Sequence, residues 1–174
     1  MKVTHTGFEI RTALITVDNP DAFLRRLRGT MRKNVTTIIC FNAGNMAGVR
    51  HAEAALTHAI RSFSEGSPIA KTLEMESLLY AAGTHQCTDA AILGIHKGRN
   101  RAYVCCYPEN QDIWPELKSF IHFIDWEEVA PGPEKVARLR RLFSISDDEL
   151  AAAGGECRLQ DLIIERVALL EAYH

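Results

Sequence analysis

Between Gly48 and Gly83 the chain carries a pattern that leaves few folds open. Ala52, Ala55, Leu56, Ala59, Ile60 and Phe63 recur at i, i+3, i+4, i+7, i+8 and i+11, the spacing of one buried helix face. Three of these six residues are alanine, and small side chains let a neighbouring helix or sheet approach closely where leucines would hold it away. Gly66-Ser67-Pro68 then breaks the chain. The spacing predicts a second helix with Ser67 as N-cap and Pro68 at its first position, running to Gly83, a residue type favoured just past a helix end. A shorter helix is expected from about His85 to Leu93. A chain with this segment must contain a tight helical pair, and the rest of the molecule has to accommodate it.

The flanking segments supply a sheet. Phe8 to Val17 (FEIRTALITV) and Val35 to Phe41 (VTTIICF) are rich in β-branched residues and read as strands, with Ala102 to Tyr107 (AYVCCY) as a third. Asn19-Pro20-Asp21 places an N-cap before a proline at the first helical position, and Phe23, Leu24 and Leu27 follow on one side until Gly29 stops that helix. Helical periodicity returns at Gln111 to Phe123, Glu134 to Phe143 and Leu159 to Tyr173. Ser146 to Glu149 reads as a capping box, with extra carboxylates placed favourably against the helix macrodipole. The final helix sets Leu159, Leu162, Ile163, Val167 and Leu170 on one face. No linker, repeat or second core is visible, so the expectation is one α/β (α+β) domain over 1–174. It would hold a small mixed or antiparallel sheet of about three to five strands and about seven helices. A chain of 174 residues is long enough to bury roughly 70% of its unfolded surface without a metal or disulfide staple.

Charge and cysteine usage narrow the class. Hydrophobic residues make up 47% and charged residues 24%, no apolar run approaches the ~18 residues of a membrane span, and MKVTHTGFEI lacks the layout of a secretory signal. Cys40, Cys87, Cys105, Cys106 and Cys157 are odd in number, scattered and free of any CxxC pair, against both a disulfide framework and a zinc knuckle. A soluble cytoplasmic protein is expected, with no membrane partner. Residues 1–40 hold seven Lys/Arg against three Asp/Glu, residues 41–101 six against five, and residues 102–174 seven against fourteen. The sums of +4, +1 and −7 are far from the excess of a strongly basic nucleic-acid binder, so any RNA contact must use a small local patch. Arg25, Arg26, Arg28, Arg32 and Lys33 form one candidate, and Lys97, Arg99 and Arg101 another; each also reads simply as a solvated surface.

No reactive constellation stands out. There is no G-x-x-x-x-G-K-[ST] loop, no G-x-G-x-x-G after a strand, no G-x-S-x-G elbow and no H-E-x-x-H, so no catalytic residue, cofactor or metal is expected. The turn Asn42 to Gly48 (NAGNMAG) follows a strand and opens a helix. It is either a structural connection or a contact site for an anion or RNA, and without a lysine it makes a poor nucleotide loop. His51 and His58 share a helix face without a nearby carboxylate or cysteine, a weak metal pair. His51 alone could brace the preceding loop or donate to a phosphate or base. Glu76 sits among apolar residues, where a carboxylate is costly unless paired, which favours a structural ion pair or helix-end hydrogen bond over acid/base catalysis. Gln86 invites the same structural reading.

These elements occur in a telling order: Asn42, Ala43, Ala47 and Gly48 in the turn; His51 with Ala52, Ala55 and Ala59; Arg61, Phe63, Gly66 and Ala70; the run Glu76 to Gly83; then Gln86, Ala90, Gly94 and Ile95. The series resembles the small CGI-type, PRPK-binding subunit of the KEOPS (EKC) tRNA-modification complex. The likeness extends over about 35–173 through Phe143 to Ser146 and Leu159 to Leu170; the first 34 residues match only in general strand-helix form. Cys87 departs from the pattern, standing where that family more often has a bulky aliphatic residue. The resemblance implies a non-catalytic protein of an archaeal or eukaryotic cell, acting in threonylcarbamoyl-adenosine modification of tRNA. It would bind the kinase-like ATPase subunit of KEOPS and the 3′ CCA end of tRNA, and meet the other KEOPS subunits indirectly. It places the tRNA contacts at Asn42, Asn45 and His51, with Arg61, Lys71, Lys97 and Arg99 as basic neighbours. Read from the residues alone, the alternative remains a small-molecule or anion-binding domain, including an unrecognised enzyme, that uses the Asn42–Gly48 turn.

Overall fold

β-branched and aromatic runs do form the sheet, and register with its central strands extends it beyond them. The computed structural model describes residues 1–5 and 7–172. Strands β1 (Lys2–His5), β2 (Phe8–Val17), β3 (Thr37–Asn42), β4 (Gly98–Tyr107) and β5 (His122–Phe123) alternate with helices α1 (Pro20–Asn34), α2 (Val49–Ser64), α3 (Leu73–Ala82), α4 (Cys87–Ala90), α5 (Ile113–Leu117), α6 (Pro133–Leu142), α7 (Asp147–Ala153) and α8 (Leu159–Ala172). The fold class is α+β, with an antiparallel sheet ordered β1-β2-β4-β3 and β5 paired beside β2. The chain divides into two compact units, one formed by 1–43 and 94–127, the other by 44–93 and 128–174. No helix among the described residues is long and apolar enough to cross a membrane.

The first unit holds the whole sheet. β2 and β4 pair from Glu9↔Cys106 to Val17↔Gly98, and β3 joins β4 from Thr37↔Tyr107 to Asn42↔Ala102. Ala13, Ile15, Val17, Ile38, Ala102, Val104 and Cys106 gather with Leu27 of α1 and with Ile113, Trp114 and Leu117 of α5 in one apolar cluster. α1 begins as its sequence dictates, the Asn19 side chain accepting from the Ala22 N–H at 3.0 Å. It does not stop at Gly29. An interior glycine costs only about 1 kcal/mol relative to alanine, nothing crowds this one, and Met31, on the far side of it, adds to the core. The helix ends instead at Val35, which adopts a left-handed φ of 51° and donates its N–H to Met31.

Three further boundaries differ from those the sequence predicts. The helix expected over Gln111 to Phe123 is confined to α5, because the β-prone run Phe120 to Ile124 turns back and pairs with β2, His122 opposite Leu14 and Phe123 opposite Ala13. β4 begins four residues before Ala102, where GRNR has little strand propensity but lies in register with Thr16 and Val17. β1 has the same origin in pairing with β2.

In the second unit α2, α3 and α8 pack against one another. Ala52, Ala55, Leu56 and Ala59 are all fully buried, as the alanine face requires. α8 buries Leu159, Ile163, Val167 and Leu170, with Leu162 at the edge of the stripe; the expected end at Tyr173 lies outside the described residues. α3 starts at Leu73 with Thr72 as its N-cap, not at Ser67. The reason is Glu76, described below, which ties the N–H groups of Ile69 and Ala70 into a loop. Gly83 closes α3 at φ 62°, and a Cβ there would come within 3.2 Å of the Arg166 side chain and 3.3 Å of its carbonyl oxygen. Ser146 caps α7 by accepting from the Glu149 N–H at 3.1 Å, while the Glu149 carboxylate serves Arg166 at 2.8 and 2.9 Å.

Candidate functional site

The turn after β3 is where the sequence concentrates polar groups, and the structure spends most of them on the protein itself. Asn42, the last residue of β3, is buried and its carboxamide donates to the His96 ring at 3.2 Å. The Ala43 N–H continues the sheet pairing by donating to the Arg101 carbonyl at 2.8 Å. Beyond Gly44 the turn belongs to the helical unit. There Arg138 donates to the Gly44 carbonyl at 3.1 Å, Asn45 donates to the Ile92 carbonyl at 2.8 Å, and Gln160 donates to the Ala47 carbonyl.

His51 completes this bracing. It is fully buried, with Nδ1 accepting from the Ala47 N–H at 3.1 Å and Nε2 donating to the Ala81 carbonyl at 2.8 Å. Its ring also meets the edge of Phe143 at 5.5 Å. One accepting and one donating nitrogen define a single neutral tautomer. Burial drives the His51 pKa down to about 4, with Lys135 adding to the effect and the Ala81 bond opposing it. The imidazole is therefore an uncharged brace between the turn and α3 at neutral pH.

Gly48 opens α2 with φ 90° and no side-chain cap. The φ of 90° favours glycine, and a Cβ at this position would press on the movable ends of Gln160, at 2.7 Å from Nε2, and Glu128, at 2.9 Å from Oε2. A cleft of about 510 Å³ adjoins it, lined by Ala47, Gly48, Glu128, Val129, Lys135 and Gln160 among others. An anionic ligand approaching this helix start would meet the Glu128 carboxylate already beside it.

Glu76 follows the same rule of internal use. Its carboxylate has no solvent exposure and accepts from the Ser62 hydroxyl at 2.8 Å, the Ile69 N–H at 3.1 Å and the Ala70 N–H at 2.6 Å. Charge-assisted hydrogen bonds, rather than an ion pair, satisfy it.

The basic residues divide differently. Arg61 is exposed but donates to Glu171, which also contacts His58 Nδ1 at 2.7 Å. Burial would raise the Glu171 pKa, but the hydrogen bonds from Arg61 and His58 outweigh it and hold the carboxyl below its usual value. Lys71, Lys97 and Arg99 are exposed, and among the described residues none of them has a carboxylate partner. Lys97 and Arg99 stand at the start of β4 in the sheet unit, next to His96, which holds Asn42. Lys71 belongs to the loop that Glu76 fixes. Gln86 and Cys87 lie exposed at the start of α4.

These features define a small α+β protein whose polar turn is held by the protein's own hydrogen bonds, while cations at one strand end stay exposed. Its relationships give that description a family. The chain belongs to the family described as kinase binding protein CGI-121, whose model matches residues 15–171. No curated protein matches it. Kinase binding is the property by which the family is described.

Proposed function

We propose that this protein is the non-catalytic, kinase-binding and tRNA-binding subunit of a KEOPS-type complex, acting in the cytoplasm in threonylcarbamoyl-adenosine modification of tRNA. In this reading it binds the kinase-like ATPase subunit and the 3′ CCA end of tRNA, and the modification chemistry belongs to another subunit. The observation that carries the reading is the family match over 15–171, with the ordered Asn42-to-Ile95 series inside it. Local cations support RNA contact without demanding a basic protein: Lys71, Lys97 and Arg99 are exposed with no carboxylate partner among the described residues, and a few phosphate contacts suffice for a single-stranded end. Asn42, Asn45 and His51 contribute by fixing the turn.

The experiment is a binding titration of the purified protein with a kinase-like ATPase of the same complex and, separately, with intact tRNA and tRNA trimmed of its 3′ CCA. Saturable kinase binding is expected, along with weak tRNA binding that disappears on trimming. Equal affinity for trimmed and intact tRNA would overturn the RNA half, and absence of kinase binding would overturn the other.

A further inference from the structure

At the start of β4 one side of the strand carries exposed cations. Asn100 and Ala102 are buried while Arg99 and Arg101 are exposed. Alternate residues of a strand share a face, so Arg99, Arg101 and Tyr103 lie on one side, with Leu14 and Thr16 of β2 opposite Arg101 and Arg99 in register. β5 extends that row with the exposed His122 beside Leu14. Three residues after β5, half-buried Trp126 sets its ring 5.9 Å from Tyr103, tilted by 55°, and the Arg101 guanidinium lies over the indole at 4.3 Å from its centroid.

A second Arg-on-Trp pair in the same unit shows what distinguishes this one. Arg11 lies over Trp114 at 4.2 Å, but its Nε is bound to the Glu9 carboxylate at 2.5 Å and Trp114 is buried in the core. That pair is closed. Among the described residues no carboxylate pairs with Arg101, Arg99 or Lys97. Of the exposed acids next to Trp126, Asp125 is engaged by the Met1 amino group, and Glu127 has no ion-pair partner among the described residues. A guanidinium backed by an indole offers its outer plane to another flat group. Nucleobases supply such a π-face, and cations alongside serve the phosphates. An acidic peptide would use the charges and leave the plane idle.

The geometry points to a single-stranded RNA site at this end of the sheet, in which a base stacks on the Arg101–Trp126 pair while Arg99 and Lys97 hold the backbone. The site rests on the RNA-binding reading above and adds Arg101 and Trp126 as its base-contacting residues. The test is fluorescence anisotropy with three labelled probes of equal length: an unstructured RNA hexamer, the same hexamer without bases, and hexaglutamate. Wild type is compared with Arg101→Lys, which keeps the charge and removes the plane. The RNA hexamer should lose between about five- and hundredfold in affinity for Arg101→Lys, and the abasic hexamer should bind the two proteins equally. Equal RNA affinity of the two proteins would overturn the stacking site while leaving RNA binding intact. RNA binding absent from wild type would overturn both. Hexaglutamate binding as tight as RNA would make this an acidic-peptide surface and overturn the site as stated.

Discussion

The sheet unit carries eleven Lys/Arg against eight Asp/Glu, a net +3, and the helical unit nine against fourteen, a net −5. The two units also dispose of those charges differently. In the helical unit Arg61 meets Glu171, Arg166 meets Glu149, Arg140 meets Asp147, and both Arg50 and Arg158 meet Asp161. Its buried polar side chains are likewise committed, Glu76 to the 67–71 loop and His51 to the turn. In the sheet unit, the cations at the start of β4 have no carboxylate among the described residues to neutralise them. An excess of acid pairs five arginines of the helical unit locally, although Lys71 has no carboxylate partner among the described residues, whereas a modest excess of base leaves the cations at the start of β4 for phosphates. Polar residues in the helical unit should therefore matter for stability, and those at the β4 start for binding.

Glu76 should show the first half of that contrast most strongly. Glu76→Ala leaves the Ile69 and Ala70 N–H donors without their acceptor, while the Ser62 hydroxyl keeps the Ser67 carbonyl at 3.1 Å, and should cost about 2–4 kcal/mol. Glu76→Gln, which keeps an acceptor oxygen, should cost less. Urea denaturation midpoints decide it; a loss under 1 kcal/mol for the alanine variant would mean that the loop does not depend on this carboxylate.

His51 should produce a pH dependence of definite sign. Its folded pKa of about 4 lies below the ordinary histidine value of 6.5. Between those values the unfolded chain takes up a proton that the folded chain refuses, so stability falls as pH falls through this window. The size at pH 4 is about 3 kcal/mol relative to pH 7. Compared with His51→Gln, the wild-type protein should lose that much of its advantage between pH 7 and pH 4 in parallel urea titrations. An advantage that stays constant over the range would show that the ring is not held neutral.

A smaller effect belongs to Gly83. An alanine there must adopt a left-handed φ and press its Cβ against Arg166, which should cost about 1–2 kcal/mol. Differential thermal melts of Gly83→Ala and of the uncrowded Gly29→Ala separate the causes, since the latter should be neutral or stabilising.

What could be read in advance follows physical range. The alanine face of α2, the Asn19 and Ser146 caps and the Gly83 stop are local, depending on residues a few positions apart, and all appear in the structure. β1, β5 and the first four residues of β4 are strands because β2 offers them partners, a relation no local pattern carries. The start of α3 moved for a similar reason, since Glu76 reaches back six and seven residues to hold a loop where Ser67-Pro68 signalled a helix. His51 stood out in the sequence, yet its role depends on Ala81, 30 residues away. Arg101 was visible as part of a basic cluster. Trp126 gave no sign of its part, because only the return of the chain along β2 brings it over that arginine.

The division of labour between the units is tested most directly by the salt dependence of tRNA affinity in two variants. Lys97→Gln/Arg99→Gln should reduce the slope of log K against log salt by about 1.4, leaving the melting temperature unchanged. Arg61→Gln, whose charge is already committed to Glu171, should leave the slope at its wild-type value. A slope that falls for Arg61→Gln and stays unchanged for the Lys97/Arg99 variant would contradict the account.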